Sequence, residues 1–245
     1  MTSYELGDSF GRRYWRWLDR FGFVDDPFAL QEADKEREFL PHFFVDRPYL
    51  HDVLGNPAWP QATVLMAGRG AGKTATREMV VYECSHANPR RRALAVRYDD
   101  FSSLLAQVNG RASSITAGHH VQQILRAAIR SMALDVPALH YESLDSESRQ
   151  LLMSYADGFA DPLSRLRLAP LLKAEAVPIS WDHLSPRESL ETFARLITRL
   201  GQTSQVRYQS LYVLVDRVEE TPLGAPGAVQ LLKPLVADGP LLEAS

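Results

Sequence analysis

Three glycines at alternate positions are followed by a lysine and a threonine in Ala67-Gly68-Arg69-Gly70-Ala71-Gly72-Lys73-Thr74. This spacing suits the binding of a phosphate chain. Glycine tolerates positive φ and lets the backbone approach an anion closely. Successive backbone N–H groups would converge on a phosphate chain, helped by the dipole of the helix that follows. The sequence therefore predicts a phosphate-binding loop, and its candidate nucleotide ligands are Gly68, Arg69, Gly70, Ala71, Gly72, Lys73, Thr74 and Ala75.

Two side chains at the end of this loop have predicted roles of their own. Lys73 would reach the outer phosphates and stabilise the charge that develops there, and the Thr74 hydroxyl would ligate Mg²⁺. The usual pattern begins with glycine six residues before the lysine, where this chain has Ala67. Gly70 still supplies flexibility inside the loop. The alternative interpretation is a plain glycine turn between a strand and a helix.

A second group of candidate residues follows the apolar run at 210–215. Asp216 follows that run, and after two intervening residues come Glu219 and Glu220. Mg²⁺ prefers oxygen ligands and keeps several waters, so Thr74 and Asp216 are the candidate metal ligands. A carboxylate three or four residues beyond the aspartate can orient or deprotonate an attacking water. Glu220 is the first candidate for this catalytic role and Glu219 the second; the alternative is a helix cap followed by solvated acids.

The segments around these residues are predicted to form an α/β unit. Thr63-Val64-Leu65-Met66 predicts a strand that enters the loop, and a helix is expected from Thr74 to about His86. Ala93-Leu94-Ala95-Val96 predicts a second buried parallel strand, which ends near Asp99 and Asp100. Ligands of α/β proteins bind at the carboxyl ends of such strands. The two aspartates could therefore approach the nucleotide, although capping a helix is the more frequent use of such residues.

A long region between the two halves of the candidate site is predicted to be helical. Apolar residues on one face mark a helix from about His119, and Ser185-Pro186-Arg187-Glu188 is a capping box that begins another, ending at Gly201. The pair His119-His120 has no partner ligands at the spacing of a zinc site, so surface or capping histidines are predicted.

The N-terminal region predicts an amphipathic helix with a basic face. Its arginines lie off the apolar stripe, which consists of Phe10, Tyr14, Trp17, Leu18 and Phe21. A docking helix with a solvated arginine face is the favoured interpretation. A contact with nucleic acid or a membrane surface is the alternative.

Composition excludes several classes of protein. The chain has 245 residues, 45% of them hydrophobic, so it can bury a substantial core. A net charge of −3 gives no basic field for nucleic acid, and the single Cys84 rules out an intramolecular disulfide. No apolar run approaches 18 residues, so no membrane span is expected. A cytoplasmic protein is the resulting prediction.

The two motifs together resemble a known family. AGRGAGKT and LYVLVDRVEE are similar to the P-loop ATPases of the additional-strand class, within the AAA+ and STAND groups. STAND proteins typically have an apolar strand, an aspartate, two residues and two acids, as at Asp216, Glu219 and Glu220. The segment that begins at Asp25 and ends at Gly55 also resembles the lead-in of bacterial AAA-like ATPases. The resemblance covers about Asp25 to Thr221.

The resemblance implies a fold, an activity and an organisation. The expected fold is a three-layer α/β P-loop core with a parallel sheet. Residues 1–60 would form a helical lead-in packed on the core, and residues 61–245 the core itself, with a helical insertion at about 119–201. The sensor strand and lid of the family are not identifiable, so the core is expected to be incomplete at its C-terminus. The implied function is Mg²⁺-dependent ATP binding with slow or regulated hydrolysis, in a switch or assembly device with a protein partner or a second copy.

Two other functions share the phosphate-binding loop. A small-molecule or nucleotide kinase would need an arginine-rich lid, for which Arg165, Arg167 and Arg187 are available. The pattern at 216–220 favours water as the acceptor instead. A scaffold that binds nucleotide without catalysis is the third possibility. No motif that specifies guanine is evident, so adenine is the default base.

Overall fold

The computed structural model of the chain describes residues 13–14, 16–22, 37, 40–56, 62–68, 70–86, 92–134, 145–169, 184–203 and 208–237. The chain divides into two compact units, Met1–Asp46 and Arg47–Ser245. The domain boundary at residue 60 stays a prediction. The first unit contains the short helix α1 (Leu40–Phe43) and an earlier helical segment.

That earlier segment is helical at residues 13–14 and 16–20. Leu18 is fully buried, whereas Trp17 and Phe21 are exposed. The two exposed rings contact each other, with centroids 5.2 Å apart. The predicted apolar stripe therefore has one buried member and an exposed aromatic pair; Phe10 lies outside the described residues.

The second unit contains a parallel two-stranded sheet in its described part. Strand β1 (Arg92–Tyr98) pairs with β2 (Tyr208–Val215) in a register that sets Ala93 opposite Ser210 and Tyr98 opposite Val215. Strand β1 is an apolar run that is buried along most of its length, as expected of a parallel strand covered on both faces. These two strands confirm the apolar runs that the sequence predicts as strands. They also place the carboxyl ends of β1 and β2 side by side.

The third predicted strand is absent from the described structure. Residues 62–68, which include Thr63–Met66, have no regular secondary structure. Val64 is 82% exposed and Met66 is 89% exposed. A short apolar run becomes a strand only when a neighbouring strand takes up its hydrogen bonds, and no described segment pairs with this one. The strand prediction was wrong here. The described sheet has two strands, so the three-layer P-loop core that the resemblance implies stays a prediction.

Helices make up most of the described part of the second unit. They are α2 (Leu50–Leu54), α3 (Lys73–His86), α4 (Phe101–Gln107), α5 (Ala117–Leu134), α6 (Ser146–Phe159), α7 (Pro162–Leu168), α8 (Pro186–Thr203) and α9 (Gly224–Ala237). Within the residues that the structure describes, 3₁₀ turns accompany them at Ala112–Ser114 and Val218–Glu220. The predicted capping box is confirmed, because Ser185 and Glu188 exchange backbone-to-side-chain hydrogen bonds of 2.8 and 3.2 Å.

Helices α3 and α5 pack against β1, and α8 packs against β2. Helices α6 and α8 also pack against each other: the rings of Tyr155 and Phe193 meet edge to face with centroids 5.0 Å apart. The buried Tyr155 hydroxyl donates to the Ser189 carbonyl at 2.8 Å, so it is not left unsatisfied. The separate contact of α3 with β1 holds the loop that precedes α3 beside the sheet.

The adjacent histidines have different environments. His119 accepts a hydrogen bond from the Thr116 backbone N–H at 3.1 Å, as a capping residue does. His120 is fully buried, and its ring joins the Tyr98 hydroxyl (2.6 Å) to the Leu231 carbonyl of α9 (2.8 Å). The surface prediction was wrong for His120, because its ring nitrogens satisfy two buried polar groups of the core.

Candidate functional site

The glycine-rich loop turns through left-handed backbone immediately before α3. Gly70 has φ of +80° and Gly72 has φ of +82°, conformations that other residues adopt only with strain. The Ala71 N–H donates to the Gly68 carbonyl at 3.3 Å, which closes the turn. The sequence predicts that Gly68, Gly70 and Gly72 are present because the backbone needs positive φ. The structure has positive φ at Gly70 and Gly72. Arg69 lies outside the described residues.

Lys73 is the first residue of α3, and its side chain folds back over the loop. Its Nζ donates to the carbonyls of Ala67 (2.9 Å) and Gly68 (3.2 Å). It also lies 4.0 Å from Oε1 of Glu219. The ammonium group is therefore held at the mouth of the loop by oxygen atoms, which a phosphate oxygen could replace.

The two halves of the candidate site meet through one hydrogen bond. Thr74 Oγ1 donates to Oδ2 of Asp216 at 3.0 Å, although the two residues are 142 positions apart. Asp216 follows β2 directly, and its backbone N–H donates to the Tyr98 carbonyl at 3.3 Å. The end of the sheet therefore fixes the aspartate, and the first turn of α3 brings the threonine to it.

A left-handed residue, Arg217, lies between Asp216 and the two acids that follow it. Arg217 has φ of +61°, an unusual conformation for a residue with a side chain, and the 3₁₀ turn begins after it. Glu219 then lies beside Lys73, whereas Oε2 of Glu220 is 3.9 Å from Nε of Arg217. The sequence ranks Glu220 first, but Glu219 is the acid that the structure brings to the loop.

Sequence reasoning did not identify Arg77, which lies one helical turn after Thr74. Its Nη1 is 2.8 Å from Oδ2 of Asp99 and 3.3 Å from Oδ2 of Asp216. Its Nε and Nη2 donate to Oε1 of Glu78 at 3.1 and 2.9 Å. The spacing of three residues from Thr74 on a helix is the signal that could have indicated it, since such residues share a face.

Glu78 joins a second arginine to this cluster. Arg97 of β1 donates from Nε (3.0 Å) and Nη2 (2.7 Å) to the two oxygens of Glu78, whose side chain is 2% exposed. A buried carboxylate is costly unless it is paired and hydrogen-bonded, and here two guanidinium groups meet that need. Arg77 thus belongs both to this buried pair and to the candidate metal site.

The neighbouring aspartates at the end of β1 have different roles: Asp100 caps a helix, and Asp99 lies near the candidate site. Asp100 caps α4, since its carboxylate accepts from the Ser103 backbone N–H (3.2 Å) and hydroxyl (2.6 Å). The hydrogen bond from the Ser103 hydroxyl is the main reason that the pKa of Asp100 is lowered from its ordinary value. Asp99 instead binds Arg77 and lies close to Asp216.

The side chains at this point fit a magnesium ion in part. The Thr74 hydroxyl and the Asp216 carboxylate offer the oxygen donors that Mg²⁺ prefers. Among the described residues, however, no group of three or more His, Cys, Asp or Glu side chains could hold a metal ion by itself. The residues therefore fit an ion whose remaining ligands are water and phosphate oxygens.

The arginines considered for a kinase lid take part in local contacts. Arg165 donates to the carbonyls of Ala160 and Asp157. Arg187 pairs with Glu191 one turn later on α8, at 2.6 Å. Arg167 lines a cavity beside α5 and α7. The contacts of Arg165 and Arg187 are local and do not require an acceptor substrate.

No protein family model, curated protein or solved structure matches this chain. Within the described part of the chain, no helix has the length and apolar character needed to cross a membrane. The geometry around Thr74 and Asp216 is therefore the observation from which a function can be argued.

Proposed function

We propose that this chain is an ATP-binding P-loop NTPase module with a magnesium-dependent site formed by residues 67–75 and Asp216. The observation that carries the proposal is the Thr74–Asp216 hydrogen bond, which joins the end of a glycine-rich loop to an acid at the end of a parallel strand. Strands β1 and β2 would be part of the three-layer core that the family resemblance implies. ATP, rather than GTP, is the proposed nucleotide by default.

The loop would bind the phosphates through its backbone and Lys73. The left-handed backbone of Gly70 and Gly72 keeps the loop out of the helical conformation. The dipole at the N-terminus of α3 adds to the attraction of the loop for a phosphate. A phosphate oxygen would replace the Ala67 and Gly68 carbonyls as the acceptor for Lys73. Lys73 would then stabilise the negative charge that develops during phosphoryl transfer.

Thr74 and Asp216 would hold the metal. Mg²⁺, when bound with the nucleotide, would supply positive charge against the phosphate oxygens. The Thr74 hydroxyl can donate its proton to Asp216, as it does here, while its oxygen lone pairs remain for the ion. Asp216 is held by its own backbone contact with Tyr98 and by Arg77, so it can orient water around the ion.

Glu219 and Glu220 are the candidates for orienting the attacking water. The 4.0 Å approach of Glu219 to Lys73 favours Glu219, because the lysine marks where the outer phosphate would lie. Its side chain is 53% exposed, so water can reach it. Glu219 would accept a hydrogen bond or a proton from that water, and Glu220 is the second candidate.

The same contact supports a role as a switch. Phosphate binding at Lys73 would compete with Glu219 for the ammonium group, and Glu219 lies in the 3₁₀ turn that leads into α9. A change at the loop can therefore be passed to α9, which is how nucleotide state would reach a protein partner or a second copy. Nucleic acid is not a proposed partner, given the net charge of −3.

The substitution Lys73→Ala tests nucleotide binding. We expect isothermal titration with Mg²⁺-ATP to show an affinity at least about tenfold weaker than that of the unaltered protein, since a charge-assisted contact with the phosphates is lost. Lys233→Ala is the matched control: it also removes one positive charge, but from an exposed position on α9, and should bind normally. Full affinity in the Lys73 variant would refute the site.

Measurement of ADP release separates this function from the two others that share the loop. Release in water alone supports hydrolysis, whereas release only with an added acceptor indicates a kinase. Binding of ATP with no release in either case indicates a scaffold. Each result requires prior binding at the loop, so the titration comes first.

A further inference from the structure

We propose that Arg77 is the internal counter-cation of the candidate metal site, and that it keeps the affinity for a divalent ion low until nucleotide phosphates arrive. This inference rests on the proposed function and assigns a positioning residue to the same site. Arg77 does not touch the phosphates in this scheme; it acts through Asp216 and Asp99.

The contacts of Arg77 place one positive charge between two carboxylates. A single nitrogen, Nη1, lies 2.8 Å from Asp99 and 3.3 Å from Asp216. The Asp216 oxygen that it approaches is the one that accepts the Thr74 hydroxyl. Arg77 therefore contacts Oδ2 of Asp216, the same atom that accepts the hydrogen bond from Thr74 and so joins the two halves of the site.

Burial makes this charge consequential. The Arg77 side chain is 5% exposed and that of Asp216 is 11% exposed. Charges shielded from water interact more strongly than exposed ones and are screened less by salt. With Arg77 in place, Asp216 has a cationic partner when no metal is bound, so the site is stable in the nucleotide-free protein.

The same charge opposes a divalent ion. An ion beside Thr74 and Asp216 would lie close to the Arg77 guanidinium and be repelled by its positive charge. It would also compete with the guanidinium for the Asp216 carboxylate. The phosphates of a nucleotide bring enough negative charge to offset that repulsion, so metal and nucleotide should bind together. Nucleotide-free protein should bind divalent ions weakly.

A purely structural role for Arg77 is the competing explanation, because the residue also pairs with buried Glu78. Arg97 provides the means to separate the two. Both arginines bind Glu78 with two nitrogens, but Arg77 is the one whose contacts extend to Asp99 and Asp216. Loss of either guanidinium disturbs the buried pair, and only loss of Arg77 should change the metal site.

The experiment is a titration with Mn²⁺ in the absence of nucleotide, with free Mn²⁺ measured by its electron paramagnetic resonance signal. Arg77→Gln is compared with Arg97→Gln and with the unaltered protein. We expect Arg77→Gln to bind Mn²⁺ about tenfold more tightly, since removing a unit charge near a divalent ion has that effect even in a largely aqueous environment. Arg97→Gln should bind as the unaltered protein does.

Equal or weaker Mn²⁺ affinity in Arg77→Gln, or the same increase in Arg97→Gln, would overturn the proposal. If Arg77→Gln does not fold, Asp99→Asn is the second test. It leaves Nη1 of Arg77 with Asp216 as its one carboxylate among those two aspartates, and Mn²⁺ affinity should fall about fivefold; unchanged or tighter binding contradicts the proposal.

Titration of the unaltered protein with Mg²⁺-ATP tests the proposed function separately. Absence of ATP binding together with tighter Mn²⁺ binding by Arg77→Gln would refute the function and leave the counter-cation role intact. ATP binding with no selective effect of Arg77→Gln would do the opposite.

Discussion

Glu219 and Glu220 are neighbours in the sequence, yet they approach different cations. Glu219 lies beside Lys73 at the mouth of the loop, and Glu220 lies beside Arg217. The left-handed backbone at Arg217 and the 3₁₀ turn after it produce this separation. The chemistry of the site should therefore depend far more on one acid than on the other.

The paired substitutions Glu219→Gln and Glu220→Gln test that difference. We expect Glu219→Gln to lower kcat for ATP hydrolysis by about 100-fold or more, the usual contribution of a positioned acid or base, while ATP affinity is retained. Glu220→Gln should change kcat less than about threefold. Steady-state phosphate release measures both. A larger loss in Glu220→Gln would return the role to that residue.

The residues of the candidate site differ in how far they could be predicted. Lys73, Thr74 and Asp216 belong to local patterns, since each follows from a glycine-rich loop or from the end of an apolar run. Arg77 belongs to no such pattern, because its partners Asp99 and Asp216 come from two other segments. Its role depends on the pairing of β1 with β2, which the residues around it do not encode.

His120 links three elements of the fold. It extends from α5 to the Tyr98 hydroxyl of β1 and to the Leu231 carbonyl of α9. Through this ring, the end of β1 near the candidate site is connected with the helix that follows Glu219.

This link predicts a dependence of stability on pH. Burial is the main cause that lowers the pKa of His120 from its ordinary value of 6.5, so the folded protein holds the ring neutral. As pH falls below about 6.5, the unfolded chain takes up a proton at this residue before the folded protein does. The contribution of His120 to the free energy of unfolding is therefore complete above that pH and decreases as pH falls.

Urea unfolding at pH 7.5 and pH 5.5 measures the effect. We expect His120→Gln to cost about 1–3 kcal/mol at pH 7.5, because the amide replaces the ring imperfectly and leaves buried groups less well satisfied. The loss of stability between the two pH values should be smaller in this variant than in the unaltered protein. Tyr155→Phe is the control, because it also loses a buried hydrogen bond while burial raises the pKa of its hydroxyl above the ordinary value of 10, and it should leave the loss unchanged. An identical pH dependence in all three proteins would show that His120 does not titrate as described.

At the scale of elements, periodicity was informative wherever a segment buries its own apolar face. It predicted β1, β2 and the helices α5 and α8, and the capping box fixed the start of α8. It failed at Thr63–Met66, where composition favours a strand but pairing depends on a distant segment. The lack of partner ligands at zinc spacing led to a surface or capping prediction for His120, which was wrong because a lone polar residue does not reveal which buried groups it will satisfy.

In the second compact unit, sheet formation assembles the candidate site. The loop and Asp216 are separated by a largely helical region in the described structure, and the parallel pairing of β1 and β2 brings Tyr98, Asp99 and Asp216 to one edge. Helix α3 packs against β1 and presents Thr74 and Arg77 to that edge. The site is thus a property of the folded unit and would be lost on unfolding.

The central claim is that a phosphate chain binds at the loop, and an amide-resolved NMR titration of ¹⁵N-labelled protein with Mg²⁺-ATP tests it most directly. We predict that the largest chemical-shift changes occur at the N–H signals of Gly70, Ala71, Gly72 and Lys73, since these groups would contact the phosphates. The cavity beside α5 and α7, near Arg130 and Ser164, serves as the internal comparison. No shift at the loop, or larger shifts at that cavity, would contradict the account.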